Sequence, residues 1–406
     1  MLPDAEVTII VRHGQEQLAQ LFPPHIKWIT TKIFPYIYSS EDIVELELLL
    51  DIIAVDSWDI LLTTCYTRTW LDYVIAAKLI NTTRYAIGTY KPIPEILIPL
   101  FNHMSLPKDQ LWDHYIDVIE YSHETDKYLV LYNKLFQNQD SIETPCLDIS
   151  NESKEIAKSL LDGLNLKSGE FFVCLSAGVH NVPIKCWPTD NFIELLSRIQ
   201  TQTGLIPLLV GHESEKCIID EVEIGLVSKG LMASQWLGKN GDLHLLAAIM
   251  LEARFYVGND SGPMHIAAAI GIPTVGIFGG GYWPRFLPVG SKCVGIACKL
   301  PCFGCDWRCH LGEAPCVKAI QVEHVFDAIQ AVLRGEKRDN NHIIVQAELP
   351  YDNDCHSKIT SYKENSFLID NDKTDVNYGN VNTDGNNCKT KLVGIIRKIV
   401  EKLKQF

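Results

Sequence analysis

Short apolar runs alternate with longer stretches of helical periodicity along the first 150 residues. The run VTIIV at 7–11 is predicted to be a buried strand, and WDILLTT at 58–64 and RYAIG at 84–88 follow the same pattern. Between them, EDIVELELLLDII at 41–53 and TRTWLDYVIAAKLI at 67–80 carry apolar residues at helical spacing. Strands that alternate with helices predict a parallel sheet joined by crossover helices.

The same rhythm is clearer between residues 171 and 335. The predicted strands are FFVCLSA, LIPLLVG, RFYVG and IPTVGIFG, and the predicted helices are NFIELLSRIQTQTG, SEKCIIDEVEIGLVSKG, DLHLLAAIMLEA, PMHIAAAIG and QVEHVFDAIQAVLRG. Gly204 is expected to end the first of these helices, because glycine is favoured just after a helix. The sequence therefore predicts an α/β protein with two such units.

Composition changes mark the boundaries between these units. The segment NESKEIAKSLLDGLNLKSGE, with Ser153 as a capping signal, forms a plausible junction. We therefore predict one domain over 1–150 and a second over 151–335. Residues 336–388 are rich in Asn, Asp, Lys and Ser and predict a flexible polar tail. Residues 389–406 combine apolar residues at helical spacing with Lys and Arg, which predicts a basic amphipathic helix that either contacts a membrane surface or docks on protein.

Charge and cysteine content narrow the functional classes. The formal net charge is -14, so binding to nucleic acid phosphates is not expected. No secretory signal opens the chain, and no run of about 18 residues is continuously apolar. We therefore expect a cytoplasmic location. In that reducing compartment, clustered cysteines indicate metal binding or free thiols rather than disulfides.

The strongest chemical signal is VGNDSGPMHIAAAIGIPTVGIFGG at 257–280. A strand delivers Asp260, Ser261 and Gly262 to the start of a helix, where Pro263 suits the first turn. The N-terminus of that helix offers free N–H groups and the positive end of a dipole, which together favour a phosphate group. His265 lies within the first turn and can add a hydrogen bond or a charge. An ordinary capped helix with a core histidine is the alternative.

This segment resembles the hallmark of glycosyltransferase family 9, the ADP-heptose:lipopolysaccharide heptosyltransferases. The family pattern D-[ST]-G-x-x-H-x-A-A-A-x-G-x-P is matched by DSGPMHIAAAIGIP. The resemblance extends to LSAGVHNVPIKCWPTDNFIELLSRI, with its Lys-x-Trp-Pro, and to LIPLLVGHESE. WDILLTTCYTRTWLDYVIAAKLINTTRYAIG is a weaker match in the amino-terminal half.

The resemblance implies a GT-B fold, in which two Rossmann-like domains face each other across a cleft. It also implies that the carboxy-terminal domain binds the nucleotide sugar through the following residues: Ser176, Gly178, Lys185, Glu215, Asp260, Ser261, Gly262 and His265. Asp260 would contact the sugar side, and Lys185 would neutralise phosphate charge. Two alternatives stay open, namely a solvated Lys185 beside a core tryptophan and a Glu215 that is only a helix N-terminal acid.

The start of the chain departs from the family pattern. Members begin with a strand followed by a Gly-Asp loop, whose aspartate is the expected general base. This chain begins at LPDAEVTIIV, which resembles the second strand, so the amino-terminal domain is expected to be incomplete. The strands on either side of the absent one are then expected to share no neighbour. The sequence is either a piece of a longer protein or one with a rebuilt domain, and we assign no base.

Five cysteines cluster between residues 298 and 316. Cys302, Cys305, Cys309 and Cys316 are spaced closely enough for one tetrahedral site, with His310 as a spare ligand, which predicts a structural zinc ion. Free thiols that pack a loop are the alternative.

The leading functional hypothesis is an inverting glycosyltransferase that needs no cofactor. It would move a sugar to a hydroxyl of a lipopolysaccharide core or a lipid-linked glycan. The resemblance implies that the sugar is heptose and that the donor is ADP-heptose. The second hypothesis is a non-catalytic subunit that binds a nucleotide sugar but lacks the general base. The third is another GT-B activity, such as a nucleotide-sugar epimerase.

Overall fold

A computed structural model of the chain describes residues 6–64, 66, 68–120, 122–136, 145–175, 183–239, 242–336 and 342–345. The strands of its first half are β1 (Thr8–Arg12), β2 (Lys27–Thr31), β3 (Ile60–Thr63), β4 (Thr83–Ile87) and β5 (His114–Ile116). The helices of this half are α1 (Ile43–Ala54), α2 (Trp70–Lys78), α3 (Ile98–His103) and α4 (Glu124–Phe136).

The second half contains the remaining elements. Its strands are β6 (Phe171–Leu175), β7 (Ile206–His212), β8 (Ser234–Gly238), β9 (Tyr256–Asn259), β10 (Thr274–Phe278), β11 (Cys293–Cys298) and β12 (His342–Val345). Its helices are α5 (Asn151–Gly163), α6 (Thr189–Thr203), α7 (Lys216–Val227), α8 (Leu243–Leu251), α9 (Gly262–Ala269), α10 (Pro315–Lys318) and α11 (Val322–Leu333).

One parallel sheet organises the second half, in the order β12-β11-β10-β9-β6-β7-β8. The chain runs from β6 outward to β8 and then returns to β9 at the other side of β6. Successive strands are therefore added in one direction from β6 and in the opposite direction from β9, although all of them run parallel. In open α/β sheets, ligands bind at the carboxyl ends of the strands on either side of such a switch point.

Apolar cores cover both faces of this sheet. Alternate residues of a strand point to opposite faces, so Phe172 and Cys174 join the core beneath α6, α7 and α11. Phe171 and Val173 join the core beneath α5, α8 and α9. A strand that is buried on both faces has a continuous apolar sequence, which is why FFVCL contains no polar position.

The first half has two separate parallel sheets, β1–β2 and β3–β4–β5. Among the described residues no strand joins β1 to β3. Side chains of β1 still link the parts of the molecule: Ile10 packs on the core around α1 and α2, whereas Val11 lies in the core with α5 and α8.

Several local predictions need correction. The predicted flexible tail over 336–388 contributes β12, because the short run HIIV pairs with β11 at the edge of the sheet. The cap of α5 is Ser150, whose side chain accepts a hydrogen bond from the backbone N–H of Ser153, and not Ser153 itself. Strands β8 and β11 were not predicted. The basic helix over 389–406 lies outside the described residues, and the division into domains stays a prediction.

Within the ranges given above, no helix is both long and apolar enough to cross a lipid bilayer.

Close helix packing gives a testable prediction for stability. A Cβ atom at Gly225 in α7 would lie 2.4 Å from Cδ1 of Ile193 in α6. Gly225→Ala should therefore lower the free energy of unfolding, because overpacking costs about 1–3 kcal/mol against a gain of about 1 kcal/mol in helix propensity. Gly163→Ala is the matched control, since a Cβ there meets no atom within 4 Å, and it should leave stability equal or higher. Urea unfolding of both variants measures the difference, and equal effects would contradict the packing.

Candidate donor-binding site

The predicted hallmark lies at the switch point of the large sheet. Strand β9 ends at Asn259, α9 begins at Gly262, and Ser261 is the N-cap residue. The backbone N–H of Asp260 donates to the carbonyl of Ile277 at 2.9 Å, which fixes this turn to the neighbouring strand β10. Ser261 makes no side-chain capping bond to the helix. The first N–H groups of α9 are therefore not capped by that hydroxyl, which suits a site for an anion.

Lys185 and Asp260 form a buried ion pair at this point. Lys185 Nζ lies 3.8 Å from Asp260 Oδ2, and the two side chains are only 5% and 4% exposed. Lys185 precedes Trp187, whose backbone N–H donates to Asn259 Oδ1 and whose indole N–H donates to the carbonyl of Ile320. These bonds hold the segment after β6 against the end of β9. The low exposure of Lys185 excludes the alternative of a solvated lysine.

His265 is half-buried beside this pair. Burial, together with the nearby charges of His123 and Lys185, lowers the pKa of His265 to about 3. The imidazole is therefore neutral at physiological pH. Its Nε2 atom is buried and has no hydrogen-bond partner among the described residues. A buried polar atom without a partner is costly, so a ligand that offers this nitrogen a hydrogen bond would be favoured.

The first half of the chain reaches the same site through the start of α4. His123 Nε2 lies 2.8 Å from the carbonyl of Leu287, so this nitrogen must donate, and His123 Nδ1 accepts from Thr125. The backbone N–H of Glu124 donates to the carbonyl of Arg285, and their side chains form an ion pair. Sequence reasoning missed His123 and Arg285, because no motif marks them and only the tertiary contact brings them near His265.

The remaining predicted residues have different outcomes. Glu215 is 4% exposed, and its Oε2 accepts the backbone N–H of His212 at 3.1 Å in a capping box. The alternative role of a helix N-terminal acid is thus observed, and the ribose contact stays a prediction. Gly262 is buried at the first position of α9, close to Asp260 as expected. Ser176 and Gly178 lie outside the described residues.

The predicted zinc site is not found at the cysteine cluster. Among the described residues, no group of three or more His, Cys, Asp or Glu side chains is placed to hold a metal ion. Cys302, Cys305, Cys309 and Cys316 form no disulfide bond with any described residue. Burial raises the pKa of Cys316 to about 12, and its sulfur accepts the backbone N–H of Gly280. The thiol of Cys316 is engaged in packing, which fits the alternative of loop-packing cysteines, and zinc binding by these four cysteines stays a prediction.

Comparison with known proteins identifies this arrangement. The model of glycosyltransferase family 9 (heptosyltransferase) matches residues 110–308, which include Lys185, Asp260 and His265. Lipopolysaccharide heptosyltransferase 3 of Escherichia coli (strain K12) is 28% identical over 120 residues, which are 29% of this chain and 33% of that protein. Lipooligosaccharide heptosyltransferase 2 of Campylobacter jejuni is 24% identical over 212 residues, which are 51% and 65%. Residues 110–308 of this chain therefore match glycosyltransferase family 9.

Solved structures support the GT-B fold of the family. The glycosyl transferase family 9 protein of Veillonella parvula superposes with a TM-score of 0.62 at 18% identity, covering 82% of this chain and 89% of that one. E. coli ADP-heptose lps heptosyltransferase II gives 0.58 at 16% identity, covering 82% and 91%. The sequence matches to the first two curated relatives span only 33% and 26% of their length, so the activity of this chain is a proposal.

The buried ion pair predicts strong coupling between two substitutions. Lys185→Met and Asp260→Asn should each destabilise the protein, because removing one partner leaves an uncompensated buried charge. The double variant should be more stable than the sum of both effects predicts, by about 0.5–3 kcal/mol. Urea unfolding of the four proteins gives this coupling. The exposed pair of Lys216 and Asp220 is the matched control, with coupling near zero expected. Additive effects at Lys185 and Asp260 would contradict their pairing.

The low pKa of His265 predicts how its contribution to stability depends on pH. Between pH 6.5 and 3, the imidazole takes up a proton in the unfolded chain but not in the folded one. The free energy of unfolding should therefore fall with falling pH, by at most about 1.4 kcal/mol per pH unit from this group. His265→Gln should remove that component, whereas His25→Gln on the surface should retain it. Urea unfolding at several pH values tests this, and parallel pH profiles of wild type and His265→Gln would rule out a neutral His265.

Proposed function

We propose that the chain binds a nucleoside-diphosphate sugar at the amino end of α9 and transfers the sugar to a hydroxyl group. The observation that supports this is the convergence of Lys185 Nζ, His265 Nε2 and the first N–H groups of α9 at the switch point of the sheet. A cation, a neutral imidazole and a helix N-terminus together complement a diphosphate, whose leaving oxygen gains negative charge as its bond to the sugar breaks.

The transfer would be a direct displacement with inversion. The acceptor oxygen attacks the anomeric carbon opposite the diphosphate, the bond from that carbon to the phosphate oxygen breaks, and the electron pair leaves with the diphosphate. Lys185 would stabilise the charge on the leaving group, Ser261, Gly262 and His265 would hold the diphosphate, and Asp260 would contact the sugar side. The hydroxyl proton passes to a general base, which we assign to no residue of this chain. The step as written needs no cofactor.

Family membership favours ADP-heptose as the donor and a lipopolysaccharide core, or a related lipid-linked glycan, as the acceptor. The E. coli protein with the same fold is named for ADP-heptose and lipopolysaccharide. A cytoplasmic location, with peripheral membrane contact through residues 389–406, belongs to the same proposal.

The second candidate is a nucleotide-sugar-binding subunit without transferase activity. It rests on the absence of an assigned general base at the proposed site. Both candidates require the donor site, and only the first requires turnover.

Calorimetric titration of the purified chain with ADP, ADP-heptose and UDP tests the site. Asp260→Ala and His265→Ala should weaken ADP binding by about 10- to 100-fold, as expected for loss of a hydrogen bond to a charged group. Asp109→Ala and His25→Ala, which change exposed residues of the same types, should bind as wild type does. Circular dichroism melts establish that each variant is folded.

Release of ADP from ADP-heptose distinguishes the candidates. Release that depends on a heptose-deficient lipopolysaccharide core identifies a transferase. Binding without release supports the binding subunit, and release without any acceptor indicates another GT-B activity. A folded wild-type chain that binds neither ADP nor ADP-heptose would contradict the proposal.

A further inference from the structure

The cysteine-rich segment between β11 and α10 is seated on three consecutive glycines. Gly279, Gly280 and Gly281 follow β10 directly. The backbone N–H of Gly304 donates to the carbonyl of Gly280 at 2.8 Å, and that of Asp306 donates to the carbonyl of Gly281 at 3.1 Å. In return, Gly280 donates to the sulfur of Cys316. These hydrogen bonds fix the segment against the strand that neighbours β9.

The Trp307 ring packs closely against this glycine run. A Cβ atom at Gly279 would be 2.5 Å from the Trp307 ring, and one at Gly281 would be 2.4 Å from it. Only glycine leaves room for such an approach of backbone and ring. The backbone N–H of Trp307 is hydrogen-bonded to Cys305, so the cysteines support the turn that carries the indole.

The Trp307 ring also contacts the ion pair of the donor site. Lys185 Nζ lies 5.0 Å from the ring centroid, within the range of a cation–π interaction. The same ammonium group lies 3.8 Å from Asp260 Oδ2. The ring and the carboxylate together limit where the lysine ammonium can go, and an ammonium group at the end of four methylene groups needs such restraint.

Trp307 occupies this position at a cost to the fold. Its φ is 63° and that of Asp306 is 49°, so two successive residues other than glycine adopt the left-handed conformation. The indole Nε1 is buried without a hydrogen-bond partner among the described residues. Strained backbone and unsatisfied donors are concentrated at functional sites, where they serve the positioning of other groups.

We infer that Trp307 is a positioning residue of the donor site, which holds the Lys185 ammonium where it meets the diphosphate. This inference rests on the proposed function, in which Lys185 binds the donor. It also gives the cysteine-rich segment a role that needs no metal, since this segment places Trp307 beside Lys185.

The test compares ADP affinity in variants at Trp307 and Lys185 by calorimetry. Trp307→Leu removes the aromatic face and should weaken ADP binding about 5- to 10-fold, whereas Trp307→Phe keeps a π face and should stay within about twofold of wild type. In a Lys185→Met background, Trp307→Leu should have no further effect, because no ammonium remains to be positioned. Trp112→Phe is the control, since Trp112 contacts Arg68 in the same way in the first half of the chain, and it should not change ADP affinity.

Gly281→Ala provides a second variant that keeps the indole but displaces it. It should weaken ADP binding when Lys185 is present and have no effect in the Lys185→Met background. Wild-type ADP affinity in folded Trp307→Leu or Gly281→Ala, or losses that add to that of Lys185→Met, would overturn the inference while the proposed function stands. A wild-type chain that binds no ADP would contradict the proposed function and this inference with it.

Discussion

The buried positive charge of Lys185, in the segment between β6 and α6, is the constraint on which the second half of the molecule depends. Lys185 is 4% exposed, and a charge at such a depth is stable only with partners. Asp260 supplies the opposite charge, and Trp307 supplies an aromatic face. Each partner comes from a different loop at the carboxyl edge of the sheet. The position of the lysine ammonium therefore depends both on the strand order β10-β9-β6 and on the packing of the cysteine-rich segment. Buried ion pairs seldom increase stability relative to apolar residues, which favours a functional reason for this one.

The contact between the two halves also depends on buried charged side chains. Lys127 and Arg285 both bind the carboxylate of Glu124, and desolvation followed by the charge of Arg285 lowers the pKa of Lys127. The start of α4 is thereby held on the loop after β10, and His123 is brought within electrostatic range of His265. The first half of the chain thus contacts the candidate donor site through backbone carbonyls and buried charges, which depend on orientation more strongly than apolar contacts do.

Local patterns predicted the centre of the fold and the turn that carries the candidate donor site, because each rests on a short stretch of sequence. The turn from β9 through Asp260 to α9 combines a strand, cap residues and small residues within one segment, and the structure forms it as predicted. Strand β8 was missed because SQWLG is only partly buried and lacks a long apolar run. Strand β12 was missed because four residues in a polar tail give a weak signal. Trp307 was missed for a different reason: C-x-x-C-x-W-x-C suggested metal chemistry, and only the glycine run, distant in sequence, shows where the ring lies.

The edge strand β12 has a consequence for whatever follows it. Because β12 runs parallel to β9, Val345 lies at the same edge of the sheet as Asp260. Three strand spacings separate the two strands, so the end of β12 lies about 14 Å from the end of β9 across the sheet. The chain therefore leaves β12 at the edge of the sheet that carries the candidate donor site. A group attached to the chain at Val345 would be held near that site at a high effective concentration, whatever its own affinity for the site.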